Sequence, residues 1–173
     1  LVDRTIPMLP ERLCNFICSL RPDEDKLAYS VIFTLDDEAN VKAYRIVHTI
    51  IRSKRRYAYE EVQQLLEENG VVDGMGEPAP VPKNGKYKGE NAEQLITLDR
   101  LAKALRKKRF EHGAVKFDRE ELHFDVDEKG KPTRCYFKRS HDANKLIEEF
   151  MLLANKTVAE SIRKAKKGRK AKT

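Results

Sequence analysis

No run of apolar residues in this 173-residue chain approaches the ~18 needed to cross a membrane, and no signal-peptide pattern is visible. Cysteine is scarce: Cys14, Cys18 and Cys135 are the only three. Their odd number gives no complete disulfide framework, and the four-residue step from Cys14 to Cys18 suits neither a zinc knuckle nor a redox CxxC pair. They read as reduced, buried thiols of a cytoplasmic protein. Apolar residues are also modest, at 40%, which is on the low side for a compact domain. The chain does not begin with methionine, and its last residues, KKGRKAKT, carry no natural cap. Both ends suggest a segment of a longer chain, with a processed native terminus as the alternative.

What is abundant is charge. Charged residues make up 36%, and the net charge is +7. A pI near 9.3 favours an anionic partner. Nucleic acid leads, although many basic proteins bind none. Basic residues gather at Arg52-Lys54-Arg55-Arg56, at Arg106-Lys107-Lys108-Arg109, and in the tail from Arg163 to Lys172. Arg55, Arg56, Lys107 and Lys108 are the candidates for phosphate contact, which would be salt-dependent and blind to sequence. For Arg106–Arg109, cations matching the end of a helix are the blander explanation. The acids are less promising. Asp36-Asp37-Glu38 and Asp125, Asp127, Glu128 both read as solvated turns, with a metal site as a remote alternative.

Pro7 and Pro10 bracket an extended segment, and Pro10 suits the start of a short helix over Glu11–Leu20 that buries Leu13, Phe16, Ile17 and Leu20. Residues 27–35 and 41–53 are rich in β-branched and aromatic residues and predict a hairpin around the 36–40 turn. Tyr59, Val62, Leu65 and Leu66 have helical spacing over Tyr59–Glu68. Residues 69–92 hold most of the glycines and three of the seven prolines, which predicts a mobile loop. Thr97 is placed as the cap of a helix to about Phe110, with Leu98, Leu101, Ala102 and Leu105 inward. Short strands are expected around Val115–Phe117, Leu122–Val126 and Thr133–Lys138, with Glu128-Lys129-Gly130 as a turn. Ser140 is placed as the cap of a long helix whose inward stripe is Ile147, Phe150, Met151, Ala154, Val158 and Ile162, followed by a disordered basic tail. The order predicts an α+β fold with a mostly antiparallel mixed sheet, hairpins packed against helices.

Three strings together resemble the ribonuclease R/ribonuclease II exoribonuclease family: residues 6–33 (IPMLPERLCNFICSLRPDEDKLAYSVIF), residues 53–67 (SKRRYAYEEVQQLLE), and residues 112–135 with 141–160. The resemblance leaves out little but the loop around 70–92. It implies part of that family's catalytic domain, which removes nucleotides from the 3′ end of single-stranded RNA, processively, with water activated by Mg2+. The family's metal-holding D-x(5)-D-x-D-D run precedes the IPMLP stretch and is absent from this sequence. The later R-x-H motif and catalytic arginine are absent too. The resemblance therefore implies no catalytic residue and no metal ligand in this segment, and an inactive piece of an active parent.

By the same resemblance Tyr59 matches an aromatic that contacts RNA, Phe117 one that stacks on terminal nucleotides, and Glu148 a glutamate that binds the terminal ribose. An aromatic face gives sequence-tolerant grip. Yet Tyr59 and Phe117 also fit core positions of a helix and a strand. Helix geometry adds independent support for Glu148: at ~100° per residue, Asn144, Glu148 and Asn155 fall on one line, where carboxylate and amides could meet ribose hydroxyls. Asn155 is the weaker RNA candidate, and Glu149 is placed on the surface. A stand-alone RNA-binding module without catalysis is the alternative, although RNP strings, a KH loop and zinc knuckles are all missing. A protein-docking domain using residues 69–92 has no specific support. Exposed apolar surface and dimerisation of the segment are expected.

Overall fold

In the structure, a computed structural model, residues 6–83, 85–115, 121–127 and 131–170 are described. Strands β1 (Asp25–Leu35) and β2 (Val41–Arg52) pair as a hairpin. Helices α1 (Tyr59–Glu68) and α2 (Ala92–Glu111) follow, then strands β3 (Glu121–Val126) and β4 (Pro132–Lys138) and helix α3 (Asp142–Lys170). The class is α+β as expected, but the four strands form two separate two-stranded sheets rather than one. The residues cluster into two units, interleaved along the chain.

One unit holds residues 29–47, 58–115 and 141–173, with α2 packed on α3 and α1 on both. Val62, Leu66, Val71, Ala92, Ile96, Ala102, Ala143 and Leu146 form its core, with Ala39 from the hairpin turn. α1 stops where Gly70 takes a left-handed φ of 88°. There the Gly70 amide bonds Glu67 O and the Val71 amide bonds Leu66 O, which tucks Val71 against Leu66 and satisfies two orphan carbonyls. A Cβ on Gly70 would come within 2.8 Å of the Pro80 ring. The hairpin turn is built by Asp36, whose carboxylate accepts from the Glu38 and Asn40 amides and from the Asn40 side chain. Those Asn40 bonds, then Lys42, hold the Asp36 carboxyl well below its ordinary range. Asp36 is thus a turn organiser, as its place between two strands predicted.

The other unit holds residues 1–28, 48–57 and 116–140. Here the expected helix over Glu11–Leu20 shrinks to one wide turn, Arg12–Ile17, closed by the Cys18 amide on Leu13 O. Leu13, Phe16, Ile17 and Leu20 are all exposed, so little apolar burial rewards a longer helix. The thiols expected to be buried are not: Cys14 is half-buried, and Cys18 and Cys135 are exposed. Lys26 donates to Phe16 O and Arg21 lies over the Phe16 ring. β3 and β4 pair antiparallel from Glu121↔Lys138 to Val126↔Pro132, with an irregularity at Asp125/Val126. The expected strand residues Lys116 and Phe117, and the Glu128–Gly130 turn, lie outside the described residues; Val115 is not in a strand.

Three other expectations are corrected. α2 begins at Ala92, five residues before Thr97, because Ala92 and Ile96 already find the core. Ser140 does not cap α3; Asp73 accepts from the Asp142 amide, Gln63 from the Ala143 amide, and Asn144 from the His141 amide. α3 also runs through the basic residues to Lys170, since Lys, Arg and Ala are good helix formers and cations suit a helix C-terminus. Its fully buried residues include Ala143, Leu146 and Glu149; of the predicted stripe Phe150, Ala154 and Val158 are half-buried, whereas Ile147, Met151 and Ile162 are exposed.

Candidate functional site

Two polar sites join α2 to α3. At the first, Lys103 of α2 reaches Asp99 at 2.7 Å and Asp142 at 3.3 Å. Asp99 is 1% exposed and Asp142 is buried too. Burial pushes the Asp99 carboxyl up, more than the hydrogen bond from Lys103 brings it down. Lys103 also donates to Glu77 O, and Asp142 accepts from the Gly74 amide, so the 69–92 loop is fastened at this point. Asp73 adds a bond from His141 Nδ1 at 2.8 Å. Burial alone would raise the Asp73 carboxyl, but His141 and the Asp142 amide outweigh it and lower it.

At the second, Arg109 of α2 grips Glu149 of α3 with two nitrogens, Nε standing 3.2 Å from Oε2. Glu149 is 3% exposed, which overturns its placement on the surface. The buried face of α3 extends to Glu149, which meets Arg109 of α2, while Glu148 lies outside it. Glu148 has a side chain 51% exposed, and its Oε1 lies 3.7 Å from the same Arg109 nitrogen.

The other sequence-based candidates fall as follows. Tyr59 opens α1 and is 45% exposed, more than a core residue would be. It stands one helical turn before Gln63, which caps α3, so the α1–α3 pair carries both Tyr59 and Glu148. Asn155 is exposed on α3, two turns beyond Glu148. Lys107 is exposed, whereas Lys108 donates to Glu38 O and the Asn40 side chain of the hairpin turn. Arg55 and Arg56 belong to the other unit, where the Arg55 guanidinium stacks 4.7 Å over Tyr57. Phe117 lies outside the described residues.

Sequence reasoning missed a groove of about 540 Å³ lined by Val41, Lys42 and Tyr44 of β2 and by Leu153, Lys156 and Glu160 of α3. It lies roughly a third of a turn around α3 from Glu148, so it is a separate surface. No pattern in the sequence pairs those strand and helix residues. Among the described residues no three His, Cys, Asp or Glu side chains form a group that could hold a metal ion. Asp99 and Asp142 already share the Lys103 ammonium. These residues do not fit a magnesium site. No helix among the described residues is long and apolar enough to cross a membrane.

Charged residues are arrayed around a three-helix core, and among the described residues no group could hold a metal ion. Residues 1–170 match the family described as the RNB domain, and the chain belongs to that family. It is 42% identical to DIS3-like exonuclease 2 of Schizosaccharomyces pombe over 95% of its own length and 18% of the relative's. It is 41% identical to Ribonuclease R of Aquifex aeolicus, over 91% of this chain and 21% of that one. The fold matches Mycoplasma genitalium RNase R, solved in complex with double-stranded RNA, with a TM-score of 0.75 and 25% identity, covering 92% of this chain and 26% of that one. The chain thus spans about a fifth of the length of the curated relatives it matches.

Proposed function

We propose that this chain is the part of a Mg2+-dependent, processive 3′→5′ exoribonuclease that holds the end of single-stranded RNA, and that alone it binds without cutting. The carrying observation is the RNB match over residues 1–170 together with the absence, among the described residues, of any grouping that could hold a metal. The ion would activate water in the parent enzyme; this chain's own residues bind and orient.

Tyr59 stacks on a base, and Phe117 does so at the terminus. Glu148 and Asn155 take the hydroxyls of the last ribose. Arg55, Arg56, Lys107 and Lys108 meet phosphates; of these, Lys108 must leave its turn partners to do so. Relatives named as exonucleases, and a structural neighbour bound to RNA, support the substrate class. The exposed Leu13, Phe16 and Ile17 support self-association of the piece.

Fluorescence anisotropy with a labelled single-stranded RNA tests the binding. Affinity should fall linearly, on logarithmic axes, as salt rises. Tyr59→Ala should weaken it roughly tenfold, as loss of one stacked base does. Binding that ignores salt would defeat the phosphate contacts, and full affinity in Tyr59→Ala would defeat the stacking.

A further inference from the structure

We infer that Arg109 is a positioning residue for Glu148 at the RNA terminus; this rests on the reading of Glu148 as a ribose ligand. Neighbouring helix residues point ~100° apart, so one cation can touch both Glu148 and Glu149 only from the edge of the helix. Arg109 occupies that edge. Its two-pronged bond to Glu149 is anchored, because releasing it would strand a carboxylate that is 3% exposed. The guanidinium is planar and presents its donors in a fixed fork, so the nitrogen that holds Glu149 is itself fixed beside Glu148. The nitrogen 3.7 Å from Glu148 Oε1 is therefore a stationary charge beside a mobile carboxylate.

An isolated, half-exposed glutamate samples many rotamers and loses that freedom on binding. Arg109 narrows the search and leaves half of the Glu148 side chain open to a ligand. The trio carries two carboxylates and one guanidinium, so it keeps a net negative charge. Its carboxylates accept hydrogen bonds, and ribose hydroxyls donate them. The ligand class is a terminal ribose with a free 2′-hydroxyl, and the arginine contributes to the choice of RNA over a deoxy end.

The test compares two single-stranded RNAs that differ only in a 2′-deoxy sugar at the 3′ terminus, each titrated against the 173-residue chain. Both carry the same phosphates, so their affinity ratio is blind to lost positive charge. Glu148→Ala should bring the ratio to about one. Arg109→Met should lower it about threefold to fivefold, the range of an exposed ion pair. The reversed pair Arg109→Glu/Glu149→Arg keeps the buried bond but puts a carboxylate beside Glu148, so it should melt near the parent and still lose the preference.

A reversed pair that folds and keeps the full ratio overturns the role of Arg109. Should it not fold, Arg109→Met/Glu149→Met, which leaves no buried charge, carries the same expectation and the same power to overturn. A parent chain without any preference, or an unchanged ratio in Glu148→Ala, defeats the ribose reading itself and the inference with it. Loss in Glu148→Ala alone, with the arginine variants unchanged, defeats only the inference.

Discussion

Lys103 and Arg109 sit on one helix, face the same neighbour and each serve two carboxylates, yet they make different sites. The lysine is almost sealed, its side chain 10% exposed, and both of its partners are buried. The arginine is 30% exposed, and one of its two partners stands in water. The contacts advance together, 103 with 142 and 109 with 149, so α2 and α3 run in the same direction. The difference teaches where to look for binding. A sealed charge group holds helices and a loop together. A half-open one can hold helices and still present a carboxylate to a ligand.

Replacing the lysine should break the comparison most. Lys103→Met leaves Asp99 buried without its cation and Asp142 with only Lys145, 3.5 Å away, which should cost about 3–5 kcal/mol in a urea melt. Asp142→Asn in the same background should recover part of that loss, because only one buried charge remains. A loss below ~1 kcal/mol would mean that the site is wet. Arg109→Met comes next, at about 2–3 kcal/mol, because Glu149 is stranded but water can approach from the arginine's open side. Equal losses at the two sites would erase the distinction drawn here.

Acid separates the sites further. The folded state holds the Asp99 proton more tightly than the unfolded chain does, since burial raises its pKa. Its contribution is therefore favourable below the ordinary carboxylate pKa of ~3.9 and lost as pH rises through the raised folded value. Asp73 runs the other way: its stabilisation is present above ~3.9 and lost as pH falls through its lowered folded value. Asp73→Asn should flatten the acid side of a stability–pH curve, and Asp99→Asn should flatten the part above the ordinary pKa. The smallest expected effect on stability is Glu148→Gln, within ~0.5 kcal/mol by thermal melt, because the group is exposed. A larger loss would make Glu148 structural rather than a ligand group.

The hairpin and α1 were legible because local signals agreed with tertiary need. The turn acids, the alternating strands and the Tyr59–Glu68 spacing all reappear with the same bounds or nearly so. The caps of α3 were not legible, because they are set by distant residues. α3 is capped by Gln63 and Asp73, about seventy or more positions away, so its own Ser140 was a false signal. The 1–28 segment was over-read for the opposite reason: its apolar spacing has no partner among the described residues. Of the candidate site, Glu148 and Tyr59 could be named from resemblance and helix geometry. The Arg109–Glu149 bond could not. Two strongly charged residues forty positions apart read as surface until the packing of α2 on α3 is known.

The central claim is grip without chemistry. It is tested most directly by mixing the chain with excess 5′-labelled single-stranded RNA and Mg2+ and following bound fraction and RNA length in the same samples. The account predicts a bound fraction that falls with salt while every RNA stays full length. A ladder of RNAs shortened from the 3′ end, growing in proportion to the amount of pure chain, would contradict it.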